Sequence, residues 1–222
     1  MIYNLGTGDF AVQFEFTIPE CDKVGIFFSG GIDSTSLLCL VIEELKATNR
    51  QHIPINVYTV NKEPDPDNAE RLIPIIEQEY DISLNHIKRI PVSEEAVANR
   101  VIDMSSVLDA YNSETNMYLM MAGNDSAEKG EYAHLVPEDY PTLPWSYPNE
   151  SYFSLPFRGL LKAHLMTILT QLNKEHLLRY TYSCSKSLPP NPCGVCYSCQ
   201  EKIFAMDMLN MPQFDYVPLE VS

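Results

Sequence analysis

Val24-Gly25-Ile26-Phe27-Phe28-Ser29-Gly30-Gly31-Ile32-Asp33-Ser34-Thr35 is the stretch that decides the fold of this chain. Val24 to Phe28 is a short, continuous apolar run, the pattern of a strand covered on both faces. Leu37, Leu38, Val41, Ile42 and Leu45 then recur at helical spacing and place a helix over about Ser34 to Ala47. Between strand and helix, Gly30 and Gly31 allow a tight turn, so that successive backbone N–H groups can converge on an anion. The helix start adds unpaired N–H groups and the positive end of its dipole. Ser29, Ser34 and Thr35 add hydroxyl donors, and Ile32 completes the loop. Asp33 repels phosphate directly; it reads as a magnesium ligand or as a helix cap. The loop is neither the Walker type, which ends in Gly-Lys-Ser/Thr, nor the dinucleotide type with three spaced glycines. The plain alternative is a strand–helix turn capped by Asp33 or Ser34.

Outward from this loop, strand and helix patterns alternate. Residues 11–17 place Val12, Phe14 and Phe16 on one face and polar residues on the other. Strands are expected at Ile55 to Val60, Leu84 to Ile90 and Met117 to Ala122, and helices over 67–79, with Pro74 inside, and from Ser93 to about Ala110. The alternation implies a Rossmann-like parallel α/β sheet with flanking helices. Residues 123–157 break the rhythm with Pro137, Pro141, Pro144, Pro148 and Pro156 among many aromatics. A stretch of this kind reads as a functional loop. Tyr140, Trp145 or Tyr147 could stack on a flat heterocycle, or equally pack against the partner in a homodimer. Helical patterns return over Leu160 to Leu178 and about Tyr197 to Leu209. The chain thus divides into an α/β part over 1–157 and a helical C-terminal part over 158–222, together expected to form one compact unit.

The 222 residues, 45% hydrophobic, are enough for one sizeable core. With 30 acidic against 15 basic residues the net charge is −15, and no basic cluster stands out, so a nucleic-acid partner is disfavoured. No apolar run reaches membrane-spanning length, and the first residues carry no secretory signal; a cytoplasmic protein with no membrane contact is expected.

Two of the six cysteines, Cys21 and Cys39, read as small buried hydrophobes. Cys184, Cys193, Cys196 and Cys199 have the spacing C-x8-C-x2-C-x2-C, with Gly194 where a tight knuckle needs positive φ. Four thiolates would complete a tetrahedral zinc shell with no open position, which is a structural site. An iron–sulfur cluster is the main metal alternative, and reduced or disulfide-paired cysteines the plain one.

The loop string resembles the Ser-Gly-Gly-x-Asp-Ser motif of the PP-loop ATPases, whose fold is of the adenine nucleotide alpha hydrolase-like type. The resemblance implies that ATP, with Mg2+, is cleaved between its α- and β-phosphates as an acceptor oxygen is adenylylated. It also implies that adenine lies beside the end of the second strand, here Thr59, Val60 and Asn61. Loop and cysteines together resemble the 7-cyano-7-deazaguanine synthases, in which such a loop opens the chain and a zinc site with this spacing closes it in a small subdomain. Leu155 to Lys162, Thr181-Tyr182-Ser183-Cys184 and Gly123-Asn124-Asp125 are similar to further segments of that family. Residues 126–147 depart from its acceptor-site pattern. The resemblance implies ATP-dependent conversion of 7-carboxy-7-deazaguanine and ammonia to a nitrile; other carboxylates, a tRNA base, or a non-catalytic nucleotide-binding module held together by zinc are the competing readings.

Within this frame Lys162 is a candidate phosphate contact or a solvated lysine at a helix start. Asp125 touches the acceptor or caps a turn. Arg158 holds a phosphate or carboxylate in bidentate fashion or sits on the surface. His134, His164 and His176 have no telling partners in sequence and read as solvated or core residues. A structural zinc implies that metal loss lowers stability without selectively removing ATP binding.

Overall fold

The computed structural model describes residues 1–6, 8–60, 67–89, 116–123, 154–182, 184 and 191–212. The expected helix over Ser93 to Ala110, the proline-rich stretch up to Phe153, Asn61, Asp125 and His134 lie outside the described residues.

Four strands form a parallel sheet: β3 (Lys23–Phe27), β4 (Ile55–Val60), β5 (Asn85–Arg89) and β6 (Met117–Met121), in the order β5-β4-β3-β6. The continuous apolar run at Val24 correctly marks β3 as central, with Val24 and Ile26 fully buried. Gly25 is where neighbouring side chains fill the space above the strand. A Cβ there would stand 2.7 Å from Leu119 Cδ1 and 2.8 Å from Met117 Sδ. Beyond β6, Ser154 makes a parallel bridge to Met120 and carries the chain toward the C-terminal helices.

Among the described residues the α-helices are α1 (Ile32–Ala47), α2 (Asp67–Tyr80), α3 (Lys162–Gln171) and α4 (Tyr197–Met208), with 3-10 helices over Gly8–Phe10 and Glu175–Tyr180. α1 is the crossover between β3 and β4. It is buried around most of its circumference because α3 covers the side that the sheet does not. Ser36 Oγ donates to the Leu165 carbonyl of α3 at 3.1 Å in this contact. The one apolar pattern over Leu160 to Leu178 is two elements, α3 and the 3-10 helix, separated at Asn173. Each of these described α-helices is followed within two residues by an Asn or Asp in the left-handed region: Asn49 (φ 56°), Asp81 (φ 51°), Asn173 (φ 57°) and Asn210 (φ 49°). These short polar side chains tolerate that conformation and stop the helix without glycine.

The alternating segment Val12–Glu15 is β2, and it pairs antiparallel with β1 (Ile2–Leu5), forming a hairpin apart from the main sheet. Its buried face carries Tyr3, Leu5 and Phe14, and the Phe14 ring lies 6.0 Å from Phe157. One apolar cluster then runs from Tyr3 through both helical layers to Met206, joining the α/β part to the C-terminal helices. Cys21 and Cys39 are buried in it as expected. Among the described residues no helix is long and apolar enough to cross a membrane.

Phe157 is fully buried and joins the hairpin to the turn before α3. Phe157→Ala should cost about 3–5 kcal/mol of stability, read as a lowered midpoint in urea unfolding with little change in slope.

Candidate functional site

Numbered along the chain, β3, β4 and β5 run out to one side of the sheet, and β6 lies on the other side of β3. In open α/β sheets the crevice beyond the carboxyl ends of the strands, at such a reversal, is where ligands bind. The loop after β3 occupies that place.

Ser29 follows the strand, Gly30 turns the chain at φ 73°, and Gly31 is the N-cap of α1. The positive φ is one reason for Gly30; crowding is the other. A Cβ at Gly30 would stand 2.5 Å from Asn68 Nδ2 and 2.9 Å from the Ala69 backbone nitrogen. The Gly30 carbonyl is held from two sides. Asn68 Nδ2 of α2 donates to it at 2.6 Å and Tyr182 N–H at 3.2 Å. Within the loop, Ser34 Oγ accepts from Ser29 N–H and donates to Gly31 O, both at 3.2 Å. Thr35 N–H is the first to reach an acceptor inside the helix, Gly31 O at 3.0 Å. The N–H groups of Ile32, Asp33 and Ser34 therefore have no intrahelical acceptor and stand at the positive end of the helix dipole.

α1 has no side-chain cap, so neither Asp33 nor Ser34 serves as one, and the helix begins two residues earlier than the periodicity implies. Asp33 turns instead toward the C-terminal helices. Its Oδ2 accepts from Lys162 Nζ at 2.9 Å, while its buried Oδ1, like the buried Thr35 Oγ1, has no hydrogen-bond partner among the described residues. Orphaned acceptors of this kind are uncommon in folded proteins and call for an explanation.

Lys162, the first residue of α3, is not the solvated lysine that its helix-start position allows. Its side chain is 6% exposed and its Nζ lies 3.0 Å from Glu201 Oε2 as well as 2.9 Å from Asp33 Oδ2. Three helices thus meet at one ammonium between two carboxylates, with a net charge of −1. For Lys162, burial by itself favours the neutral amine, but the two carboxylates outweigh it and hold the group charged, above the usual lysine range. Burial pushes the Asp33 carboxyl above the ordinary carboxylate range; Lys162 opposes this and Glu201 reinforces it. Glu201, as buried as Lys162, was not singled out from sequence. Its only signal is an acidic residue on the inward face of a helix otherwise anchored by cysteines.

The four clustered cysteines converge. One ligand atom from each of Cys184, Cys193, Cys196 and Cys199 lies within 4.8 Å of all the others, and none of the four is in a disulfide. Cys196 Sγ and Cys184 Sγ are 3.9 Å apart. A tetrahedral ion with metal–sulfur bonds of about 2.3 Å spaces its ligands by about 3.8 Å, so the donor set fits a single zinc ion. A cubane cluster, with a separate iron beneath each sulfur, needs wider spacing. Gly194 has φ 69°, as the knuckle requires. Cys193 N–H and Cys196 N–H point at Cys184 Sγ and Cys193 Sγ, at 3.4 and 3.3 Å. Cys196 is the N-cap of α4 and Cys199 lies in its first turn, where the helix dipole favours thiolates.

The other candidates are more scattered. Thr59 Oγ1, near the carboxyl end of β4, is 2.9 Å from His86 Nε2, and Val60 closes the strand. Arg158 is on an exposed turn ahead of α3. His164 is a core residue: Leu161 N–H donates to its Nδ1 at 3.0 Å, and its Nε2 meets Phe10 O at 2.7 Å. His176 pairs with Glu79 on the surface at 3.3 Å.

No family model and no curated protein sequence matches the chain. Solved structures do. NMN synthetase from Francisella tularensis overlaps at a TM-score of 0.50 with 11% identity, over 87% of this chain and 79% of that one. The NH3-dependent NAD synthetase of Campylobacter jejuni (TM-score 0.44, 15% identity, 74% and 71% covered) and the U34-tRNA thiolase NcsA of Methanococcus maripaludis (0.45, 15%, 87% and 69%) overlap less closely. The first likeness shows the fold: a Rossmann-like parallel sheet with flanking helices.

Because the Asp33 pKa is raised, its favourable contribution to folding is present at acid pH and is lost as pH rises through the raised value. Asp33→Asn keeps the shape and makes the cluster neutral. Its thermal midpoint relative to that of the wild type should rise by a few degrees as pH increases from acid to pH 8; scanning calorimetry across pH reads this directly.

Proposed function

We propose that the chain is an ATP-dependent ligase that adenylylates a small carboxylate and amidates it with ammonia, its acceptor being 7-carboxy-7-deazaguanine. The observation that carries the first part is the pair of orphaned atoms, Asp33 Oδ1 and Thr35 Oγ1, on a glycine loop whose N–H groups open at the carboxyl edge of the sheet. Magnesium and a triphosphate would satisfy both at once. The NMN and NAD synthetases, by name, are enzymes of the same broad kind, and the second is NH3-dependent.

The phosphates would lie against the N–H groups of Ile32, Asp33 and Ser34, with hydroxyl donors from Ser29, Ser34 and Thr35. Asp33 Oδ1 would hold the magnesium ion, which when bound neutralises charge building on the leaving pyrophosphate. An ammonium has three donors, and two of those on Lys162 meet Asp33 and Glu201. The third would reach a phosphate oxygen. An acceptor carboxylate oxygen attacks the α-phosphorus and pyrophosphate departs. Ammonia then displaces AMP from the acyl carbon to give the amide; a second ATP adenylylates the amide oxygen with release of pyrophosphate, and loss of AMP and a proton gives the nitrile. Thr59, Val60 and Asn61 would flank the adenine, and Arg158 and Asp125 would meet the acceptor. Cys184, Cys193, Cys196 and Cys199 would hold a zinc ion with all four positions filled by thiolates, so it would serve structure and take no part in the bond changes.

The deazaguanine acceptor rests on the combination of this loop with that cysteine spacing. Incubation with ATP, magnesium, ammonia and 7-carboxy-7-deazaguanine should yield the amide and then the nitrile by mass spectrometry, together with AMP and pyrophosphate. Pyrophosphate release only with a different carboxylate would remove the acceptor and keep the ATP chemistry. Thr35→Val is the sharper probe of the loop. Losing a buried hydroxyl that has no partner among the described residues should leave the unfolding midpoint unchanged or raised, while losing a ligand contact should weaken ATP binding about tenfold. Unchanged ATP affinity would sink the role of Thr35.

A further inference from the structure

The cysteine knuckle and the phosphate loop are joined by two separate connections. The first runs through α4. Cys196 caps that helix, Cys199 sits in its first turn, and Glu201 follows two residues on. At 3.6 residues per turn Glu201 projects about 200° around the helix from Cys199: the cysteine faces the knuckle and the carboxylate faces α3. Glu201 Oε2 meets Lys162 Nζ at 3.0 Å, and Lys162 Nζ meets Asp33 Oδ2 in the loop at 2.9 Å. The second connection leaves from the other end of the cysteine set. Tyr182, two residues before Cys184, donates its N–H to the Gly30 carbonyl at 3.2 Å.

We propose that the four-cysteine site sets nucleotide affinity by holding these two connections in place, with Glu201 as the positioning residue that keeps the Lys162 ammonium at the mouth of the loop. The proposal rests on the reading that the loop binds ATP. With Glu201 present, Lys162 is shared between two carboxylates, so Asp33 is not committed wholly to it and Oδ1 stays open. Without Glu201, the ammonium collapses onto Asp33, and both the cation for phosphate and the carboxylate for magnesium are drawn out of use. This differs from the expectation, drawn from sequence, that metal loss lowers stability without selectively removing ATP binding. Removing Glu201 also makes the local charge less negative, which by itself favours an anion, so the two effects predict opposite signs.

The test is the dissociation constant of α,β-methylene-ATP with magnesium, measured by calorimetry on the whole chain, zinc-loaded and after chelation, with zinc content and thermal midpoint recorded for each sample. Zinc-loaded Glu201→Ala should keep its zinc and bind the analogue roughly tenfold more weakly. Glu201→Gln, whose amide oxygen still accepts from Lys162, should fall between it and the wild type. Chelation should weaken binding by the wild type, and by a smaller factor in Glu201→Ala, where one connection is already lost. Binding by zinc-loaded Glu201→Ala as tight as that of the wild type, or tighter, would overturn the proposal, as would a chelation effect of equal size in both proteins. If the chelated chain unfolds, the zinc-loaded variants decide by themselves. Failure of the zinc-loaded wild type to bind the analogue would instead bring down the ATP reading on which the proposal stands.

Discussion

The Lys162 ammonium, buried between Asp33 and Glu201, is the contact on which the arrangement of this molecule turns. Taking Lys162 and Glu201 out of water, and Asp33 partly so, costs several kcal/mol per buried ion after relaxation. The mutual attraction offsets this only if each charge keeps its partner, and here two carboxylates share one cation. An apolar trio of the same volume would pack as well or better, so stability alone does not account for the cluster. What it secures is position. Helices α1, α3 and α4 each contribute one member, and the cluster forms only when all three are in register.

That register is prepared by packing. β3 lies at the centre of the sheet because its residues are apolar on both faces, and it delivers Ser29 and Gly30 to the carboxyl edge. α1 is held between sheet and α3, which fixes the direction of Asp33. Gly30 has no alternative residue on two counts, its positive φ and the closeness of Asn68. The loop is therefore set by contacts from α2 and from the segment before Cys184 as much as by its own sequence. A loop fixed in this way has its N–H groups oriented before any ligand arrives, which lowers the ordering cost of binding.

The local features were legible in the sequence. β3, β4, α2 and α4 follow from periodicity because each depends on neighbours a few residues away. The knuckle follows from cysteine spacing and one glycine. The Asn and Asp residues after each helix were equally readable as stop signals, Asn173 above all, since it separates α3 from the 3-10 helix. β1 was missed because Tyr3 and Leu5 give only two beats of alternation. Glu201 and the buried state of Lys162 were out of reach for a different reason. Lys162 and Asp33 are 129 positions apart, and nothing in either neighbourhood encodes the meeting. A lysine at a helix start is ordinarily solvated; only the convergence of three helices takes it out of water.

Two helices in this region, α1 and α4, start without a side-chain cap, at Gly31 and Cys196. An uncapped start leaves N–H groups without a side-chain acceptor and the positive end of the dipole bare, so an anion placed there is stabilised. At α4 the chain's own cysteines stand in that place, and a bound zinc ion would hold them as thiolates. At α1 no anion is supplied among the described residues: Asp33 is turned away toward Lys162, and Ser34 is engaged with Ser29 and Gly31. The same local deficit is thus met internally at one end of the Glu201–Lys162–Asp33 link and left open at the other. On physical grounds that open end would favour an outside anion.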